Sequence, residues 1–403
     1  MSGLLQMALG AIVLGHGLLV AHSYVGFPWL LARQARGRTL PGPTYAPDAP
    51  DLPAVDVLLA VHNEQAVLVE KVRRTFATTY PAGKVRLLVG SDNSTDGTNE
   101  LLAQLAQEFP GLDYQLFTER QGKPGVMQHL SARATAPVLV LTDANVFFEP
   151  DTLLELVRHF RRPAVGLVAA NVAAPPPKPG EPTSGVLAQE RAYLARENLL
   201  KYREGVVWGA AIGAHGGAFA VRRTAYVPAP AGFVVDDFFI SQSVLRAGFQ
   251  TVLNPAAHAT EDVGDLLPEE FRRKARIAVG NFQNLREFRG LLWPPWRGAA
   301  YAYWSHKVLR WLTPQLLLLA LAANVALLAL GGGNGLWWLT LLPQLLLPAL
   351  ALLDWLGAPR WPGLRYARHF YAMNGALLLG WWRYLRGQRS AVWQPTQRNQ
   401  HVS

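Results

Sequence analysis

Residues 3–31 carry no formally charged side chain, and Arg33, Arg36 and Arg38 follow at once. Roughly 20 consecutive apolar residues suffice to cross a bilayer. A cleavable signal would carry its basic residues in front and end at a small-residue site. Here the basic residues come after the apolar run. Residues 1–32 are therefore expected to form a transmembrane helix with its N-terminus outside and Arg33 inside. Two more uncharged runs, residues 311–330 and 336–353, are joined by the short neutral link Gly-Gly-Gly-Asn-Gly. They are expected to form a helical hairpin whose tip lies outside, and the basic stretch of residues 360–368 returns the chain inside. Residues 370–382 are apolar but short, with Arg368 and Arg383 on either side. Two basic flanks favour a re-entrant or interfacial segment within membrane helices spanning 306–386, with a fourth span as the alternative. Trp293, Trp296 and Trp304 mark residues 290–305 as an interfacial helix at headgroup level.

Composition narrows the chemistry. The chain has no cysteine, so disulfides and thiolate metal sites are excluded. A metal would sit on oxygen or imidazole ligands, which suits Mg²⁺ or Mn²⁺. The formal charge is +10, yet many arginines flank apolar runs. That distribution indicates membrane lipids rather than nucleic acid as the partner of the positive charge.

Between these segments, residues 40–289 have ordinary globular composition. Strand patterns at 55–61, 85–91, 114–118, 138–142 and 165–170 alternate with helical patterns such as 64–78 and 95–108. Short continuous apolar runs are what strands buried on both faces require. The alternation predicts an α/β fold with a mostly parallel sheet covered by helices. In such sheets ligands bind beyond the carboxyl ends of the strands.

Those ends are polar. The first strand runs into His62-Asn63-Glu64, the second into Asp92-Asn93-Ser94-Thr95-Asp96-Gly97, and the fourth into Asp143-Ala144-Asn145. Any one of these could be a helix cap, and Asp96 is read chiefly as one. Three acidic and amide strand ends on one sheet edge point beyond capping.

Together these motifs resemble the inverting family 2 glycosyltransferases, and more narrowly the membrane synthases of poly-N-acetylglucosamine, chitin, hyaluronan and cellulose. The resemblance covers residues 55–283. It implies the nucleotide-diphosphosugar transferase (GT-A, Rossmann-like) fold with a mixed, mostly parallel sheet. It implies that Asn63, Glu64 and Asp92 lie on the donor side, the two carboxylates meeting uracil and ribose. Lys123, in Arg120-Gln121-Gly122-Lys123, would meet the nucleotide. Asp143 and Asn145 stand where the family has Asp-x-Asp, the holder of a divalent cation on the diphosphate. An amide oxygen can coordinate but brings no charge, so either metal binding is weaker or another group, His258 or Glu261, compensates. Asp237 is the expected general base for the acceptor hydroxyl, with Asp236 as its helper or as a cap. Gly216 and Gly217 would line the acceptor side. Arg273 and Arg276, at i and i+3 on one helix face, suit the leaving diphosphate. Ile277 replaces the family's tryptophan, and Trp393-Gln394-Pro395-Thr396-Gln397-Arg398 resembles a tail that covers the active site from the cytoplasm, here within residues 387–403.

The expected activity is inverting transfer from a nucleotide-diphosphate sugar, such as a UDP-hexose or UDP-N-acetylhexosamine, to a growing polysaccharide. A small helical bundle alone makes a poor exit channel, so an export partner or a homo-oligomer is anticipated. One alternative is a non-processive transferase acting on a lipid-linked acceptor, which Ile277 favours. Another is a catalytically weak accessory membrane subunit, for which Asn145 is the one supporting feature.

Overall fold

The structure, a computed structural model, describes residues 2–175, 185–261, 267–331, 335–356 and 362–388. The tail motif at 393–398, Arg360, and the middle of the link at 331–335 lie outside the described residues. Two compact units emerge. A helical unit takes in Met1–Leu30, Leu267–Leu285 and Tyr301–Gln388, and a sheet unit takes in Leu31–Leu266 and Arg286–Ala300.

The chain begins with α1 (Ser2–Ala21), one π-helical turn (His22–Gly26) and α2 (Phe27–Gln34). The sheet unit follows as β1 (Val55–Val61), α3 (Gln65–Phe76), β2 (Val85–Asp92), α4 (Thr98–Glu108), β3 (Leu112–Phe117), α5 (Gly122–Arg133), β4 (Val138–Thr142), β5 (Val146–Phe148), α6 (Thr152–Val157), β6 (Val165–Ala173), α7 (Gly185–Trp208), β7 (Ala218–Arg222), α8 (Asp236–Arg246) and β8 (Gln250–Glu261). The remaining helices are α9 (Leu267–Glu287), α10 (Gly298–Ala302), α11 (Leu309–Trp311), α12 (Thr313–Ala329), α13 (Gly335–Trp355) and α14 (Pro362–Leu385).

The sheet has the order β3-β2-β1-β4-β7-β6-β8-β5. Its first half, β3-β2-β1-β4, is parallel. There β7 enters antiparallel to both β4 and β6, and β5 pairs antiparallel with β8. Period-2 alternation builds the two faces. Val55, Val57, Leu59 and Val61 join Val67, Leu68 and Leu102 of α3 and α4 on one side. Leu58, Leu88, Leu139 and Leu141 join Val126, Met127 and Leu130 of α5 and Ile240 and Val244 of α8 on the other. Both faces are covered, so these strands read as unbroken apolar runs. Asn63 and Asn93, just past β1 and β2, take left-handed φ values of 54° and 53°. Asparagine tolerates that region, and the chain turns sharply there into the next helix.

In the helical unit α1 packs along α12, and α13 along α14. Leu4, Met7 and Leu18 of α1 and Leu339, Leu342 and Leu345 of α13 remain exposed. Among the described residues, Gly3–Gln34 and Gly335–Leu353 are long and apolar enough to cross a membrane. The pair Gly298–Trp311 and Thr313–Ala329, bent by 66°, makes a third if it counts as one span.

Three boundaries differ from expectation. Residues 290–305 are not one helix: a 3₁₀ turn at Arg289–Leu292 ends before Pro294 and Pro295, and helix resumes only at α10. Two adjacent prolines lack the N–H groups that a continuous helix needs. Trp293 and Trp296 are exposed. Residues 370–382 belong to the longer α14, a continuous helix of 24 residues. Most of α9 leaves the globular domain expected over 40–289 and joins the helical unit. Its Phe282 stacks with Tyr384 of α14 at 6.0 Å. A side chain at Gly380 would lie 2.4 Å from Cβ of Ala278, so glycine permits that close helix contact.

Candidate active site

Asp92, at the carboxyl end of β2, is buried and organises the loop entering α5. Its carboxylate accepts the Gln121 N–H at 2.6 Å, the Gly122 N–H at 3.0 Å and Arg120 Nε at 3.1 Å. Gly122 has φ +71°, a conformation that a side chain would strain. Arg120 also meets His62 Nε2 at 2.6 Å, while His62 Nδ1 bonds the Asp92 carbonyl at 2.8 Å. A carboxylate bonded to backbone N–H groups and a guanidinium fixes the direction in which the next residue, Lys123, leaves the loop.

Lys123 runs into an acidic cluster. Its ammonium lies 2.8 Å from Asp143, past the end of β4, and 3.5 Å from Asp236, the first residue of α8. These carboxylates hold the lysine pKa above its ordinary value although burial opposes the charge. Asp237, beside Asp236, takes a different direction. One of its oxygens accepts the Phe238 N–H at 2.8 Å. The other lies 2.9 Å from the point a Cβ on Gly216 would occupy, so only glycine leaves that space open. Burial, and then the charge of Asp236, push the Asp237 carboxyl up to about 6, with Lys123 and Lys201 pulling the other way. A carboxyl whose pKa is raised toward neutrality is suited to accept a proton from a hydroxyl.

The donor chemistry for a divalent cation sits next to this cluster. Asn145 donates through Nδ2 to Glu261 at 3.4 Å, and His215 Nε2 faces Glu261 at 3.5 Å. The pairing of Val146 in β5 with Glu261 in β8 creates that proximity. Of the two residues expected to compensate for Asn145, the structure brings up Glu261, whereas His258 is exposed on β8. Asp143, Asn145 and Glu261 offer the hard oxygen atoms that Mg²⁺ and Mn²⁺ prefer, so the donor set fits such an ion. Among the described residues no three His, Cys, Asp or Glu side chains form a cluster, and Asp143 is paired with Lys123.

The fold brings Lys123 to Asp143 and Asp236, Gly216 to Asp237 and Asn145 to Glu261, and Asp92 holds the loop that precedes Lys123. Glu64 is buried at the start of α3. Asn63 is bonded within the fold. Its side chain accepts the Thr95 N–H at 2.8 Å and donates to Thr95 Oγ1 at 3.3 Å, which ties the end of β1 to the loop after β2. Asp96 caps as anticipated: it accepts N–H groups from Thr98 at 3.0 Å and Gln65 at 3.2 Å. Gly217 is required for packing, since a Cβ there would come within 2.6 Å of Val146. Arg273 and Arg276 lie on α9, in the part of it that belongs to the helical unit. Arg273 is bonded to Glu270 at 2.9 Å. Burial works against the Glu270 charge, but Lys274 and Arg273 hold its carboxyl down to about 2.

Sequence reasoning missed Lys71. It is fully buried in α3, and its ammonium donates to Thr142 Oγ1 at 2.7 Å and to the Val146 carbonyl. Burial lowers its pKa to about 7, with Asp143 opposing the shift. A signal was present: Val67, Leu68, Lys71, Val72 and Thr75 share the buried face of α3, so a lysine interrupts an apolar stripe.

Residues 56–226 match the Glycosyl transferase family 2 model. A beta-monoglucosyldiacylglycerol synthase from Nostoc sp. is 31% identical over 140 residues, covering 34% of this chain and 30% of that protein. Glycosyltransferase AglE from Haloferax volcanii is 26% identical over 121 residues, 30% of this chain and 40% of the relative. These matches span less than half the length of the curated relatives. The mannosyltransferase PcManGT from Pyrobaculum calidifontis, solved with GDP-Man and Mn²⁺, superposes with a TM-score of 0.69 over 96% of this chain and 100% of its own, at 22% identity. That likeness is one of fold.

Proposed function

We propose that this chain, which carries a glycosyltransferase family 2 domain, transfers a sugar with inversion from a nucleotide-diphosphate donor to a lipid-borne acceptor at a membrane surface. The observation that carries the reading is Asp237. Its carboxyl is raised to about 6, lies against the space kept open by Gly216, and is tied electrostatically to Lys123 and Asp236.

In the proposed step the acceptor hydroxyl attacks the anomeric carbon from the face opposite the diphosphate. The new C–O bond forms as the bond to phosphate breaks, the electron pair leaves with the nucleoside diphosphate, and the proton passes to Asp237. Lys123, released from Asp143, balances charge on the leaving phosphate. A divalent cation held by Asp143 and Asn145, with Glu261 next to them, would supply further charge neutralisation there. Asp92 keeps the loop of residues 120–122 in place and so aims Lys123.

Two observations favour a lipid acceptor over a polymer. The curated relative with the highest identity among those named is a synthase of a glucosyl lipid. Ile277 stands where the polymer synthases resembled here have tryptophan. Exposed apolar side chains over α1 and α13 support a bilayer around the helical unit, and Arg33, Arg36 and Arg38 support a cytoplasmic sheet unit. Purified membranes should be screened with radiolabelled UDP- and GDP-sugars. A lipid-extractable product bearing a single added sugar supports the proposal, and a ladder of long products would return the polysaccharide reading. Asp237→Asn should abolish transfer while retaining donor binding. Near-normal turnover in that variant would place the base elsewhere.

A further inference from the structure

We propose that Lys71 is a positioning residue that clamps the turn of residues 143–145 from beneath the sheet, an inference that rests on the donor-side reading of that turn. Its ammonium has three N–H donors and three partners. They are Thr142 Oγ1 at 2.7 Å, the Val146 carbonyl, and the face of Phe148, whose ring centre is 4.1 Å away. Thr142 directly precedes the turn and Val146 directly follows it. One side chain therefore holds both ends of the three residues that present Asp143 and Asn145. The Val146 N–H donates to the Asp143 carbonyl at 3.2 Å and closes the turn internally.

The clamp reaches further. Thr142 Oγ1 accepts from Lys71 and donates to the Gly217 carbonyl at 2.9 Å, which also receives the Asp143 N–H at 3.3 Å. Gly217 follows Gly216, the residue against Asp237. The bonds from Lys71 through Thr142 to Gly217 thus join the donor-side turn to the acceptor-side glycines.

A core filler would not need this residue. Burying an ammonium is costly even when it is paired, and an apolar side chain of equal length would pack beside Phe148 without that cost. The bonds from Lys71 also answer a peculiarity of this chain. Asn145 is neutral, so the turn has one carboxylate, and its placement must come from bonds to the backbone and Thr142 rather than from a symmetrical acidic pair.

The test uses full-length protein in detergent or nanodiscs, with Lys71→Met and Thr142→Val. Binding of Mn²⁺ alone is followed by the paramagnetic resonance signal of the free ion, and backbone amide exchange by mass spectrometry. Lys71→Met should weaken Mn²⁺ binding by about 10-fold or more, as loss of a partner behind the metal ligands does elsewhere. Exchange should accelerate in peptides covering 142–147 and stay unchanged in β2 and β3. Thr142→Val leaves the lysine and the core in place and removes the Thr142 bonds to Lys71 and Gly217 while keeping the Lys71 bond to the Val146 carbonyl, so it should move both readouts in the same direction by less. This variant decides the matter if Lys71→Met does not fold. Wild-type Mn²⁺ affinity with unchanged exchange in a folded variant overturns the proposal, as does uniform acceleration across the sheet. Absence of Mn²⁺ binding in the wild type would instead overturn the cation-site reading, and the exchange comparison would still decide whether Lys71 holds the turn.

Discussion

Lys123 and Asp143 meet at 2.8 Å, a contact between the first turn of α5 and the end of β4. The same ammonium lies 3.5 Å from Asp236. One ammonium thus joins the turn of residues 143–145 to the acidic pair that opens α8, and its charge opposes the rise that burial and Asp236 impose on the Asp237 pKa.

Turnover should therefore have an acid limb set by Asp237. With its carboxyl at about 6, kcat/KM should fall about tenfold per pH unit below that point, since the base must be ionised. Lys123 lowers that pKa, so Lys123→Met should move the limb to higher pH as well as weaken donor binding. A limb that stays in place would show that Lys123 does not tune the base.

Gly216→Ala should damage turnover more than binding. The new Cβ would lie 2.9 Å from an Asp237 oxygen, and the carboxylate must shift by a few tenths of an ångström or rotate. A displaced base predicts a fall in kcat of about 10-fold or more, with nucleotide affinity by calorimetry within about twofold of wild type. An unchanged kcat would show that Asp237 does not need this position.

Asp92→Asn should loosen the loop carrying Lys123. The substitution removes the charge that holds Arg120 and two backbone N–H groups. Charge-assisted bonds of this kind contribute about 1.5–3 kcal/mol each at most, and partial exposure of Arg120 reduces its share. A loss of about 1–2 kcal/mol in denaturant stability, together with weaker nucleotide binding, is expected. Full stability with weak binding would instead assign Asp92 to direct contact with the nucleotide.

Asp237→Asn should stabilise the fold at neutral pH. The folded-state pKa of Asp237 lies above the ordinary 3.8, so its ionised form is the disfavoured one in the native protein. Its contribution is favourable at low pH and becomes a cost as pH rises through about 6. The thermal midpoint of the variant should exceed that of wild type by about 2 °C or more at pH 7.5, and the difference should vanish near pH 4. A lower midpoint at both values would show that the carboxylate is held by favourable bonds rather than by burial.

Local pattern determines a good part of this molecule. β1 and β4 have the expected bounds, because short apolar runs ending in polar residues leave little freedom once both sheet faces are covered. Asp96 caps as its place before a helix requires. The strands that were not foreseen lack such signals. β5 has only three residues, β7 is Ala-Phe-Ala-Val-Arg behind a glycine pair, and β8 runs through Pro255 without clean alternation. Each becomes a strand by pairing with distant chain.

The residue types at the strand ends, the charge-free runs and the Asp-Asp pair were determined by the sequence itself, since period, charge and capping act over a few residues. Tertiary structure decided which of them meet. It set Glu261 beside Asn145 through the pairing of β5 with β8, tied Asn63 to the loop after β2, and placed Lys71 against both ends of the turn of residues 143–145. Hydrogen bonds and charge pairs form over a few ångströms, so their partners are chosen by how strands seventy or a hundred residues apart are stacked, a distance that local pattern does not encode.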